Sequence, residues 1–169
     1  YKYHTSVPGQ MVQWVAAIED SKVDADIAYW NIAGNLSDSA VQANRGNGQW
    51  GLLNAYATMS GHTLAVTPPH PDQSYTLQGL ATLDPARRQA RLLFGGKSGE
   101  AVVALDHIPA DFGPKLRVRV REIGWTGQLG DSAPPVTIGE RVMPVRDGRI
   151  ALTFGEDGWP GLREEAAYE

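Results

Sequence analysis

Pro68-Pro69 divides a chain that mixes helix and strand patterns from one that carries strand patterns alone. Proline lacks an amide hydrogen and fixes φ, so two in succession end a strand and make a stiff, extended link. Before the pair, the apolar run Asp26-Ile-Ala-Tyr-Trp-Asn31 stands between two segments of helical period. After it, period-two alternation repeats between turn residues, with no helix-period segment of any length. One strand with a helix on either side cannot close a core, so the first part reads as the tail of something larger. Both ends fit that expectation, since the sequence opens on Tyr1 and closes on Ala-Ala-Tyr168-Glu169 as if a strand were starting.

Ser6 is expected to cap a helix running to Asp20, with Pro8 in its first turn. Met11, Trp14, Val15 and Ile18 keep the i, i+3, i+4, i+7 spacing of one buried stripe. Residues 24–31 follow as a short strand, apolar at successive positions, as when both faces are covered. A polar loop leads to a second helix at 49–60, with Leu52, Leu53, Tyr56 and Met59 on one face and Gly61 as a left-handed C-cap. A strand at 62–67 ends the first part.

From Ser74 onward the expected strands are 75–83 and 89–94, a hairpin around Asp84-Pro85, then 100–105, 116–125, 136–138, 141–145 and 149–154. Short strands at regular turn spacing predict an antiparallel β-sandwich, with Val102, Leu116, Val118, Val120, Ile150 and Leu152 inside. Asp147-Gly148 predicts a type I′ hairpin turn, which needs positive φ at both central residues. A hydrophobic content of 42% supports a packed core. The net charge of −4 argues against a nucleic-acid partner, and no cysteine is present to form a disulfide or thiolate metal site. No run approaches the roughly 18 apolar residues of a membrane span.

Several motifs dissolve on inspection. Gly46-Asn-Gly48-Gln-Trp-Gly51 has the G-x-G-x-x-G form, but a long loop separates it from the preceding strand, so no dinucleotide cofactor is expected. Gly95-Gly96-Lys97-Ser98 resembles the end of a phosphate loop, yet its first glycine would fall at Arg91; it reads as a hairpin turn. Arg117, Arg119 and Arg121 share one face of a strand, either as an anion-binding stripe or, the preferred reading, as a solvated face opposite buried valines. His4, His62, His70 and His107 lack metal-ligand spacing, so no metal is expected. Glu19, Asp20, Asp38, Asp106, Glu122, Glu156, Asp157, Glu164 and Glu165 supply no catalytic pair of the kind a glycosidase needs.

Tyr29, Trp30 and Asn31 end the buried strand before a polar loop. A flat indole there can cover the C–H face of a sugar while an amide bonds its hydroxyls, or Trp30 can pack under the loop as core. These residues, with Asp24-Ala-Asp-Ile-Ala-Tyr-Trp-Asn-Ile-Ala-Gly-Asn-Leu-Ser-Asp38 and Gly48-Gln-Trp-Gly-Leu-Leu-Asn-Ala-Tyr-Ala-Thr-Met-Ser-Gly61, resemble the eighth strand and eighth helix of a retaining (β/α)8-barrel glycoside hydrolase of the β-xylosidase-like clan.

The resemblance implies that 1–69 is the end of the barrel (helix 7, strand 8, helix 8) and 70–169 an accessory β-sandwich. It implies a chain that is mainly β and a fragment, and a function as the C-terminal segment of a hydrolase acting on O-glycosidic bonds. The catalytic Glu pair would lie upstream of Tyr1, leaving Trp30, with Asn31 and Tyr29, as substrate-binding residues. It implies a carbohydrate substrate, an upstream barrel segment as partner, no cofactor, and a secreted or periplasmic location. The helix faces bearing Met11, Trp14, Ile18, Leu52, Leu53 and Tyr56 would then await that segment. The competing reading is a non-catalytic sandwich, either purely structural or binding sugar through Trp125 or Trp159. Both lie in glycine-rich loops, where they read more readily as loop anchors. Asn35-Leu36-Ser37 is a glycosylation sequon.

Overall fold

The computed structural model describes residues 6–25, 41–42, 45–46, 49–127 and 130–169. In chain order the elements are α1 (Pro8–Ser21), β1 (Val41–Gln42), β2 (Arg45–Gly46), α2 (Trp50–Ala57), β3 (His62–Leu64), β4 (Gln78–Asp84), β5 (Gln89–Gly95), β6 (Ala101–Leu105), β7 (Lys115–Ile123), β8 (Val136–Pro144), β9 (Ile150–Phe154) and β10 (Ala167–Tyr168). A single 3-10 turn, Ala110–Phe112, is the only helical element described after Ser74. The protein is mainly β and every described strand pairing is antiparallel.

Six strands form one sheet in the order β3-β4-β5-β10-β7-β8, and β6 and β9 form a second. Phe94, Val120 and Tyr168 of the large sheet share a core with Ile150, Leu152 and Phe154 of the small one, joined by Trp159 and Leu162. The other face of the large sheet carries the helices. Met11, Val12 and Val15 of α1 and Leu52 and Ala55 of α2 bury against Leu80, Leu93, Ile123 and Ala167. Each fully buried aliphatic side chain in these clusters contributes about 1.5–3 kcal/mol.

β10 occupies the middle of the large sheet, paired to β5 through Ala167↔Gly95 and to β7 through Ala167↔Ile123. The strand expected to start at the end of the sequence is thus the one that joins the two halves of the sheet. Gly9 permits α1 to lie directly on this region. A Cβ there would collide with the carbonyl oxygens of Glu164 and Ala166, and its amide donates to Glu165 O at 3.0 Å.

Several expectations are corrected. Val102 is 62% exposed, because β6 pairs with β9 in the register Val103↔Leu152, which turns Ala101, Val103 and Leu105 inward and Val102, opposite Thr153, outward. The strands expected at 136–138 and 141–145 are one strand, β8, with an irregularity opposite Val120/Arg121. Gly95-Gly96-Lys97-Ser98 is not a hairpin turn, since it carries the chain from the large sheet to the small one. Ser6 does not cap α1; Val7 occupies that position and Ser6 is buried. Trp14 stands 45% exposed, while Val12 and Ala16 complete the buried stripe. Met11 and Leu52, expected to await a barrel, are covered by the sheet. α2 ends at Ala57 with Thr58, not Gly61, as its C-cap, and the Gly61 φ of +95° serves the turn into β3. Asp147 and Gly148 take φ of +50° and +71°, as the type I′ turn requires.

Candidate functional site

Tyr29, Trp30 and Asn31, and with them Asp38 and Asn35, lie outside the described residues. The structure describes the frame on either side of that segment. α1 precedes it and α2 follows it, and both are fastened to the large sheet by polar contacts as well as by the core.

Arg91 reaches from β5 to the end of α2, donating to Thr58 O at 2.6 Å and Ala55 O at 3.2 Å. A guanidinium here bonds the Thr58 carbonyl just past the helix, adds to the bonds that Ala55 O already accepts from Thr58, and meets the negative end of the helix dipole. Arg91 and Arg121 both pair with Glu169, whose side chain is 10% exposed. Tyr56 of α2 donates to Glu19 of α1, and this bond, followed by burial and the Glu19 charge, pushes the phenol up to about 12. Lys22, just past α1, donates to Thr63 Oγ1 of β3 at 3.0 Å. Ser60 donates to Asp84 Oδ2 at 2.7 Å; that bond and the Arg87 amide hold the Asp84 carboxyl below its ordinary value.

A second polar cluster surrounds the hydroxyl of Tyr168. It donates to Glu122 Oε2 at 3.2 Å and accepts from the Arg163 amide at 2.8 Å. Arg163 Nη1 lies 3.1 Å from Glu122 Oε1 and Nη2 lies 3.0 Å from Glu165 Oε1. Burial, then the Glu122 charge, pushes the Tyr168 phenol up to about 12. The Glu165 carboxyl is held below its ordinary value, first by its own amide and then by Arg163. Glycoside hydrolysis needs the opposite in its acid, a carboxyl raised toward neutrality. Glu164 accepts from Gln10 Nε2 at 3.2 Å and Asp106 pairs with Arg149 at 3.1 Å. Among the described residues these carboxylates hold elements together, and no group of three or more His, Asp or Glu side chains is placed to hold a metal.

Trp159 is 3% exposed, packed on Phe154, with Arg141 Cζ 4.5 Å from its ring centroid. It is a loop anchor, as preferred. Trp125 Nε1 donates to Ser6 Oγ at 3.3 Å, which ties the β7–β8 loop to the start of α1. Arg117 and Arg119 lie on an exposed face opposite the inward Val118 and Val120, the geometry that both readings of the stripe require. The Glu169 and Arg163 clusters escaped sequence reasoning. Their partners are 48 and 41 residues apart in the cases of Arg121–Glu169 and Arg163–Glu122, so no local spacing announces them.

No helix among the described residues is long and apolar enough to cross a membrane. No protein-family model matches the chain. It is 41% identical over 140 residues to a 3-O-alpha-D-galactosyl-alpha-L-arabinofuranosidase of Bifidobacterium longum subsp. longum. It is 36% identical over 145 residues to a 3-O-beta-L-arabinopyranosyl-alpha-L-arabinofuranosidase of Bifidobacterium pseudocatenulatum. Each match takes in 77% of this chain, which spans only 12% and 15% of the length of those relatives. A solved structure from Neocallimastix frontalis superposes on 99% of the chain and 41% of its own length with a TM-score of 0.88; at 23% identity this is a likeness of fold alone. By sequence, then, the chain is similar to a segment of two glycoside hydrolases.

Proposed function

We propose that the chain is the C-terminal segment of a retaining glycoside hydrolase that acts on O-glycosidic bonds of an arabinofuranoside-bearing glycan. The observation that carries this reading is the similarity of 77% of the chain to two arabinofuranosidases. Residues 1–69 supply the last elements of a (β/α)8 barrel, and residues 70–169 brace them as an accessory β-sandwich. Trp30 stacks on the sugar, with Asn31 and Tyr29 beside it, forming one wall of the site. The nucleophile and acid/base carboxylates belong to upstream barrel strands, which are this segment's partner. The engagement of Glu19, Asp106, Glu122, Glu164 and Glu165 in ion pairs and hydrogen bonds supports that division of labour. The protein works outside the cytoplasm, where such glycans are met.

The mechanism assigns this chain positioning rather than bond cleavage. Stacking orients the ring and excludes water, but it supplies neither the proton nor the attacking oxygen. The sheet holds α1 and α2 through the shared core and Arg91, so the intervening segment starts and ends on a rigid frame.

The test exchanges this chain for the matching segment of the Bifidobacterium longum enzyme. The chimera should hydrolyse that enzyme's α-L-arabinofuranoside, and Trp30→Ala in it should lower kcat/KM at least about tenfold, or about 1.4 kcal/mol. An unimpaired Trp30→Ala chimera removes the wall. The chain alone should not turn over aryl arabinofuranosides or xylosides. Turnover abolished by Asp38→Asn would overturn the assignment of catalysis to upstream residues.

A further inference from the structure

The large sheet is covered unequally. On its helix side α1 lies over β4, β5 and β10, and Gly51 of α2 sits against Ile123 at the end of β7. The Lys115–Arg119 end of β7 and the facing part of β8 remain open. There Lys115, Arg117 and Arg119 stand opposite Pro144, Val142 and Glu140 in the sheet register.

Two arginines on this surface share one carboxylate, with a lysine beside them. Arg119 Nε donates to Glu140 Oε2 at 2.6 Å. Arg117 Nη1 is 3.7 Å from Glu140 Oε1, beyond hydrogen-bond reach, and its side chain is 70% exposed. Lys115 has no ion pair among the described residues, in a chain whose net charge is −4. Farther along the strand the excess ends, because Arg121 pairs with Glu169. Between the cations lie apolar surfaces: Val142 is 64% exposed and Pro144 is exposed.

We propose that this open half-face binds an acidic oligosaccharide through the carboxylate of a uronic acid unit, with Arg117 as the anchor. A guanidinium with unused donors offers a carboxylate two parallel hydrogen bonds. Lys115 adds a second attraction, and Val142 and Pro144 meet the C–H face of the ring. The acidic chain as a whole disfavours a long polyanion such as nucleic acid. The choice of a sugar rests on the glycoside-hydrolase reading; the choice of a carboxylate rests on the surface itself.

Calorimetric titration of the intact chain tests it, with tetragalacturonate and its methyl ester as probes at about 20 mM and about 300 mM NaCl. The acid should bind saturably at low salt and about tenfold more weakly at high salt, while the ester should not bind. Arg117→Ala should weaken binding about tenfold or more. Arg117→Lys, which keeps the charge without the fork, should fall between it and the parent. Arg87→Ala, an exposed arginine in the β4–β5 turn, should change nothing. No saturable binding, equal binding of the ester or of a short oligodeoxynucleotide, or equal effects of Arg87→Ala and Arg117→Ala would overturn the proposal. The surface holds no catalytic group, so a negative titration leaves the hydrolase reading standing. An inactive chimera whose segment still bound tetragalacturonate would remove the hydrolase reading alone.

Discussion

Tyr168 is fully buried, its ring 5.5 Å from that of Phe94 and 6.2 Å from that of Phe154, with its hydroxyl against Glu122. Only the neutral phenol fits that setting, and its pKa of about 12 lies above the ordinary 10.0. Between those values the unfolded chain gives up the proton and the native chain keeps it. The unfolded state then binds fewer protons, so stability holds below pH 10 and falls from there to about 12. Tyr56, also at about 12, adds to the same alkaline limb. Urea titrations across this range should show the midpoint falling, and Tyr56→Phe with Tyr168→Phe should flatten the slope; an unchanged slope would reassign it. Trp159 makes a second test at this scale. Trp159→Ala should cost about 3–5 kcal/mol by the cavity it leaves, with no change in affinity for arabino- or xylo-oligosaccharides. A loss of sugar affinity without loss of stability would restore its role as a sugar platform.

At the scale of elements, what was legible in the sequence depended on how local its cause is. The Asp147-Gly148 turn is visible because both positions must themselves take positive φ. β7 is visible because Arg117 and Arg119 mark its outer face against Val118 and Val120. β6, Ala-Val-Val-Ala-Leu, carries no polar residue to mark its parity, so only pairing with β9 decides that Val103 faces in. Val103→Ala should therefore cost about 1.5 kcal/mol and Val102→Ala far less, as read from denaturant midpoints. Equal costs would mean that the β6–β9 register is wrong. Gly139 falls between the strands expected at 136–138 and 141–145, yet its missing Cβ makes room within β8 for the Trp159 ring, a partner no neighbouring residue reveals. β10 was legible as a strand but not as the centre of a sheet, because both its partners lie far back along the chain. Residues 29–31, which lie outside the described residues and are proposed to face the sugar, were legible only as a type of surface and a resemblance.

For the molecule as a whole, the Pro68-Pro69 link divides the sequence but not the core. Met11, Val12 and Leu52 from one side of the link bury against Leu80, Leu93, Ile123 and Ala167 from the other. β3 also pairs with β4 across it, through His62↔Leu83 to Leu64↔Ala81. Neither part can shed the other without opening this cluster to water, at about 25 cal/mol for each Å² of apolar surface exposed. The two parts should therefore unfold together. Calorimetry of the intact chain should give one transition whose calorimetric and van't Hoff enthalpies agree. Leu52→Ala, made in α2, should lower the melting of the sheet and of the helices alike, by about 2–5 kcal/mol in stability. Residues 70–169 expressed alone should expose the helix-side face of the sheet and associate. Two separated transitions, with only the lower one shifted by Leu52→Ala, would show instead that the sandwich stands by itself and that the helices merely rest on it.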